Sequence, residues 1–75
     1  MGVLSNISGQ NAVKIFCRLG YKLDHQTGSH MILWHENRSI LSIPNHREFA
    51  PGLVRGLIRR GGITVDEFIE LNKEI

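Results

Sequence analysis

The triplet Gly28-Ser29-His30 carries the residue types best suited to chemistry in this chain. Histidine exchanges protons near neutral pH, because its unperturbed pKa lies at about 6.5. Glycine tolerates the backbone angles of a tight turn, and the apolar residues 31–34 that follow are typical of a strand. The pattern predicts a turn that presents His30 at the head of a rigid strand.

The other histidines do not have the spacing of a metal site. No two of His25, His30, His35 and His46 are four residues apart, as two ligands on one helix would be. His30 and His35 are predicted on opposite faces of one strand. Ser29 and His30, as neighbours in the chain, are also predicted to point to opposite faces. The glycine loop with which nucleotide-binding proteins hold phosphate does not occur. We therefore predict neither a metal nor a cofactor.

A single histidine among cations suits the cleavage of RNA. RNA carries its own nucleophile, the ribose 2′-hydroxyl, so cleavage needs a proton acceptor, a proton donor and positive charge near the phosphate. His30 is the candidate catalytic residue, with a cleavage rate that depends on pH near the histidine range, about 6 to 7. The alternative, which the residues alone favour, is a structural His30 bonded to a backbone carbonyl. The candidate substrate-binding residues are Gly28, Ser29, Lys22, Arg38, Arg55 and Arg59.

Length and composition indicate one small domain over residues 1–75. A chain this short buries roughly 60% of its unfolded surface, so its core is small. A hydrophobic content of 41% predicts folding, and a net charge of +2 leans towards a nucleic-acid partner. The one cysteine, Cys17, excludes an internal disulfide and is expected to pack as a small apolar residue.

No apolar run approaches the ~20 residues of a membrane span, and the first residues lack the pattern of a signal peptide. These features predict a cytoplasmic protein without a membrane partner.

Hydrophobic periodicity predicts the elements that position the triplet. Ser8 as N-cap and Gly20 as stop delimit a helix over residues 9–19, after a loose lead-in over residues 1–7. A proline-initiated helix and a second helix, which a Thr64–Glu67 capping box begins and which runs to about residue 73, close the chain. The predicted strands are 21–26, 30–35 and 39–43, the last stopped by Pro44, and the proline-initiated helix is 51–60.

The second strand is apolar on both faces. Met31 and Leu33 alternate with Ile32 and Trp34, whereas a half-buried strand is polar on one side. Helices are expected to cover one face and a partner chain the other, the alternative being a few exposed apolar side chains. The order predicts an α+β, two-layer fold in which one face of a three-stranded antiparallel sheet carries the helices.

Several stretches of this chain are similar to those of the HicA-type toxins, the YcfA/HicA group of small ribonucleases from bacterial toxin–antitoxin pairs. The resemblance covers nearly the whole chain. It is carried by Leu19-Gly20-Tyr21, Gly28-Ser29-His30, Pro44 with His46, Pro51-Gly52, residues 54–58, Gly62-Ile63 and Phe68.

The resemblance implies a fold similar to the double-stranded RNA-binding domain. It also implies metal-free cleavage of mRNA that arrests growth, with His30 as the essential histidine and a HicB-like antitoxin that covers it. His46 matches the family pattern and is expected to be structural.

The chain departs from the family at Leu53, Gly56 and Gly61, where a threonine, a non-glycine residue and an alanine are usual. These positions concern helix packing more than the active site. A non-catalytic RNA-binding module with a dsRBD-like fold and a pure protein-interaction module are the other functions considered. The sequence leaves open whether the free protein is a monomer or a homodimer.

Overall fold

The structure, a computed structural model, describes Leu4 and residues 6–73. Within these residues the elements follow the predicted order of one helix, three strands and two helices, an α+β arrangement. They are α1 (Gly9–Arg18), β1 (Lys22–Thr27), β2 (His30–Trp34), β3 (Leu41–Pro44), α2 (Pro51–Gly61) and α3 (Val65–Lys73).

The local signals that start and stop the helices act as predicted. The Ser8 side-chain oxygen accepts a hydrogen bond from the Asn11 N–H at 3.0 Å, and Gly20 adopts a left-handed backbone with φ +106° just beyond α1. At α3, the Thr64 N–H donates to Glu67 Oε1 at 2.8 Å while the Glu67 N–H donates to Thr64 Oγ1 at 3.1 Å. This reciprocal pair is the predicted capping box.

The strands form an antiparallel sheet in the order β1-β2-β3, with β2 in the middle. Gly28 and Ser29 form the turn between β1 and β2, and Gly28 has φ +55°, a conformation that favours glycine. The pairing of β1 with β2 shifts between Leu23 and His25, which leaves Asp24 as a bulge that alternation did not predict.

One face of the sheet packs against the helices and forms the core. Met31 and Leu33 of β2 point to this inner face, and both are buried. The ring of Phe16 from α1 lies at the centre, 5.7 Å from the ring of Tyr21 and 5.8 Å from that of Phe68. The same cluster includes Ile15, Leu41, Ile43, Val54, Leu57 and Ile58.

Three sequence expectations are wrong. The lead-in is not loose where the structure describes it, because Leu4 and Ile7 are 1% and 2% exposed and belong to the core. Cys17 does not pack as a small apolar residue, because it lies on the exposed side of α1. The third strand starts at Leu41 and includes Pro44, which an edge strand tolerates because one side of it needs no partner.

The departure from the family at Gly61 has a packing reason. A Cβ built on Gly61 would lie 2.9 Å from Cε1 of the Phe16 ring, which is fully buried. The glycine therefore makes room for the ring at the centre of the core.

None of the helices among the described residues is both long and apolar enough to cross a membrane.

Candidate functional site

His30 lies on the face of the sheet that carries no helix, which we call the outer face. Along β2 the buried Met31 and Leu33 alternate with His30, Ile32 and Trp34, so the last three point outward. The His30 side chain is exposed. A phosphate can therefore reach the imidazole without any rearrangement of the core.

Backbone hydrogen bonds fix the end of the sheet where His30 sits. His30 pairs with Thr27 across the hairpin turn and with Pro44 on β3. The Asn45 N–H donates to the Ser29 carbonyl oxygen at 2.7 Å, and the Gly9 N–H donates to the His46 carbonyl oxygen at 2.8 Å. These bonds bring the turn, the β3–α2 loop and the start of α1 together around the head of β2.

A cleft of about 250 Å³ opens between the start of α1 and the β3–α2 loop. The residues that line it come from both segments: Ser8, Gln10, Asn45, His46 and Arg47. The backbone carbonyl of His46 accepts from Gly9 at the start of α1, and the His46 ring lies 6.1 Å from the Phe49 ring. Arg47 was not among the predicted site residues. The sequence signal that could have suggested it is its place three residues after Pro44, which pairs with His30.

The predicted cations do not gather around His30. Lys22 shares the outer face but pairs with Trp34, at the far end of β2, about 13 Å away at ~3.3 Å per strand residue. Arg55 and Arg59 are exposed on α2, in the helix layer beneath the sheet. The structure thus brings Gly28 and Ser29 next to His30 and leaves these three cations elsewhere.

Arg38 has contacts of another kind. Its Nη1 donates hydrogen bonds to the carbonyl oxygens of Gly61 at 2.8 Å and Gly62 at 3.1 Å, at the end of α2. Carbonyl groups at a helix end lack partners within the helix, so a guanidinium stabilises them. Arg38 therefore links the β2–β3 turn to α2.

We expect Arg38→Ala to lower the free energy of unfolding by about 1 kcal/mol, because two partly exposed charged hydrogen bonds are lost. In a domain of this size that loss lowers Tm by roughly 4 to 8 °C. RNA affinity should change less than twofold, which a titration of labelled RNA measures. A large loss of RNA affinity in a variant of unchanged Tm would instead make Arg38 a phosphate contact.

Of the remaining histidines, His35 is held by hydrogen bonds to the backbone, whereas His25 is exposed. His35 Nδ1 accepts from the Asn37 N–H at 2.9 Å and Nε2 lies 3.3 Å from the Leu19 carbonyl oxygen, so the ring donates from Nε2. The ring also lies 4.9 Å from that of Tyr21, on the side of the core. His25 Nδ1 is 2.7 Å from Asp24 Oδ2, both exposed.

No three His, Cys, Asp or Glu side chains within the described part of the chain are grouped so as to hold a metal ion.

Burial raises the pKa of the Tyr21 phenol, an effect that the Arg38 guanidinium opposes. The phenol stays protonated and donates to the Ser39 carbonyl oxygen at 2.7 Å.

Topology and site together define a small α+β protein with a dsRBD-like arrangement, in which a Gly-Ser turn presents one exposed histidine. The sequence model of the family described as HicA toxin of bacterial toxin–antitoxin matches residues 9–63. The chain belongs to this family and is a toxin of the toxin–antitoxin kind. Comparison with curated proteins found no match, and neither did comparison with solved structures.

Proposed function

We propose that this toxin is a metal-independent endoribonuclease, an mRNA interferase, in which His30 is the catalytic acid–base residue. The observation that carries the proposal is the exposure of His30 on the outer face of the sheet, within the matched residues of a toxin family. A histidine enclosed by the core would have no path to a phosphodiester, whereas this one is open to a polymer of any length.

The proposed reaction uses a nucleophile that the substrate brings. His30 takes the proton of a ribose 2′-hydroxyl, and the oxygen then attacks the adjacent phosphorus. The bond from phosphorus to the 5′-oxygen of the next nucleotide breaks, and that oxygen gains a proton. Solvent, which reaches the open outer face, supplies the proton that the 5′-oxygen gains. The products are a 2′,3′-cyclic phosphate and a 5′-hydroxyl.

The positioning of His30 supports this role. Gly28 has a left-handed backbone that shapes the turn, and β2 is hydrogen-bonded on both sides. A strand paired on both sides holds a catalytic group more precisely than a loop does. Arg47 lies in the loop that follows Pro44, the register partner of His30, and lines the cleft beside that loop, so it is the candidate phosphate contact at this end of the sheet.

The proposed partners are mRNA as substrate and a HicB-like antitoxin in the cytoplasm. The antitoxin would inhibit by covering the outer face at His30. The partly exposed Ile32, next to His30 on that face, gives a polypeptide apolar surface to bury.

Incubating the purified protein with RNA in excess EDTA tests the proposal. We expect cleavage that the chelator does not abolish, since imidazole and the 2′-hydroxyl need no metal. Analysis of the product ends should find 2′,3′-cyclic phosphates and 5′-hydroxyls. Lack of cleavage, dependence on a divalent ion, or products with 3′-hydroxyl ends would each contradict the proposal.

A second candidate function, a non-catalytic RNA-binding module, is favoured by one observation. Arg55 and Arg59 are exposed on α2, away from His30, where they can meet phosphates without any chemistry. Such a module would bind RNA with an affinity that falls steeply with salt, and it would leave the RNA intact. The cleavage assay therefore separates the two functions.

A further inference from the structure

The outer face carries a tryptophan at the end opposite to His30. Trp34 is the last residue of β2 and is 45% exposed. Aromatic side chains contribute a large apolar area when they are buried in a core or an interface. An exposed tryptophan ring on a sheet therefore offers a surface on which a ligand can pack. His30 and Trp34 thus lie at the two ends of β2 on the outer face.

One positive charge lies beside the tryptophan, where a phosphate can meet it. Lys22, the register partner of Trp34, is exposed beside the ring. The nearby Asp24 carboxylate is already engaged by His25 at 2.7 Å. Three further acids lie on α3, in the helix layer on the other side of the sheet: Asp66, Glu67 and Glu70.

We propose that Trp34 stacks on a base of single-stranded RNA and so positions the strand with its scissile phosphate at His30. The inference rests on the proposed ribonuclease function and names the form of substrate that the face accepts. A base can stack on a side chain only after it leaves its helical neighbours, which single strands permit and an A-form duplex does not.

The span between the two residues sets the distance along the RNA. His30 and Trp34 are separated by about 13 Å along β2, at ~3.3 Å per residue. Stacked nucleotides advance by about 3.4 Å each, so the stacked base lies at most about four nucleotides from the cleaved bond.

Trp34 fluorescence measures the contact directly, because this is the only tryptophan in the sequence. The protein for this titration carries His30→Ala, which is expected to slow cleavage enough for binding to be measured. We expect a single-stranded RNA oligonucleotide to quench or shift the emission in a saturable way. The same RNA annealed to its complement should leave the emission unchanged.

Two variants separate stacking from simple apolar contact. In the His30→Ala background, Trp34→Ala should weaken binding of the single strand roughly 5- to 150-fold, the range found for lost base stacking, and Trp34→Phe should restore much of it. Ile40→Ala is the matched control, since Ile40 is 55% exposed and precedes β3 next to Trp34 but has no ring. It should change RNA affinity less than twofold. Circular dichroism checks that each variant is folded.

An abasic scan locates the partner base. In the protein with His30 intact, one abasic position within about four nucleotides of the cut should slow cleavage, and Trp34→Ala should slow it no further on that substrate.

The outcomes distinguish this inference from the proposed function. Cleavage by the wild-type chain, with RNA bound but Trp34 emission unchanged, overturns the stacking inference alone and leaves the face to a protein partner. Equal losses in Trp34→Ala and Ile40→Ala also overturn it. Quenching by single-stranded RNA that is never cleaved overturns the ribonuclease proposal and supports stacking.

Discussion

Replacing His30 with alanine is expected to lower the rate of RNA cleavage by roughly 100- to 10,000-fold, the usual contribution of a positioned acid or base. The imidazole is proposed to move the proton without which the 2′-hydroxyl is a poor nucleophile. The rate is measured with a labelled RNA in EDTA, at saturating protein, so that binding does not limit it.

The fold should survive this substitution, because His30 is exposed and contributes nothing to the buried cluster. The free energy of unfolding is expected to change by less than about 0.5 kcal/mol, as for most surface substitutions. RNA affinity should fall only slightly, which an equilibrium titration with the same RNA tests.

His25→Gln is the matched control. His25 is also an exposed histidine on a strand of this sheet, and a glutamine amide can still donate to Asp24. We expect this variant to cleave at nearly the wild-type rate. Equal cleavage by the His30→Ala variant and the wild type would remove His30 from the mechanism, and equal losses in both histidine variants would show that the loss is not specific to His30.

Local chemistry accounts for the parts of the fold that the sequence predicted well. Ser8, Gly20 and Gly28 each act through their own backbone or a hydrogen bond a few residues away, so their roles are visible in the sequence. The burial of Leu4 and Ile7 and the bulge at Asp24 depend on contacts between distant segments. No short-range pattern carries that information.

The same distinction between local and long-range contacts applies to the candidate site. The place of His30 beside the Gly28 turn follows from neighbouring residues, and the structure keeps them together. The positions of the cations cannot be predicted from neighbouring residues, because the face on which a cation lies depends on strand register and helix packing. Lys22 falls beside Trp34, and Arg38 is bonded to the end of α2. Arg47 lies in the loop that follows Pro44, and only the pairing of β2 with β3 makes Pro44 the register partner of His30.

The start of α1 is the part of the site where one methyl group should have the largest effect on stability. Gly9 is buried, and its N–H donates to the His46 carbonyl oxygen at 2.8 Å. A Cβ built on Gly9 would overlap the Pro44 carbonyl oxygen and lie 3.0 Å from Asn45 Cα. These are backbone atoms of the strand end that pairs with His30, so they cannot move aside as a flexible side chain can.

We therefore expect Gly9→Ala to lower the free energy of unfolding by about 3 kcal/mol, at the upper end of the usual cost of overpacking. Alanine is the better helix former by at most ~1 kcal/mol, so the clash decides the sign. Thermal or urea unfolding measures the loss. Where the variant remains folded, cleavage should also fall, because α1 no longer holds the β3–α2 loop against the head of β2.

Gly56→Ala provides the control, since it makes the same chemical change in another helix. Gly56 lies within α2, and a Cβ built there meets no heavy atom within 4 Å. Only the conformational gain remains, so this variant should be more stable by about 0.5 to 1 kcal/mol, with unchanged cleavage. The two substitutions should thus shift Tm in opposite directions. If Gly9→Ala is as stable as the wild type, the close contact between α1 and the end of β3 does not exist in solution.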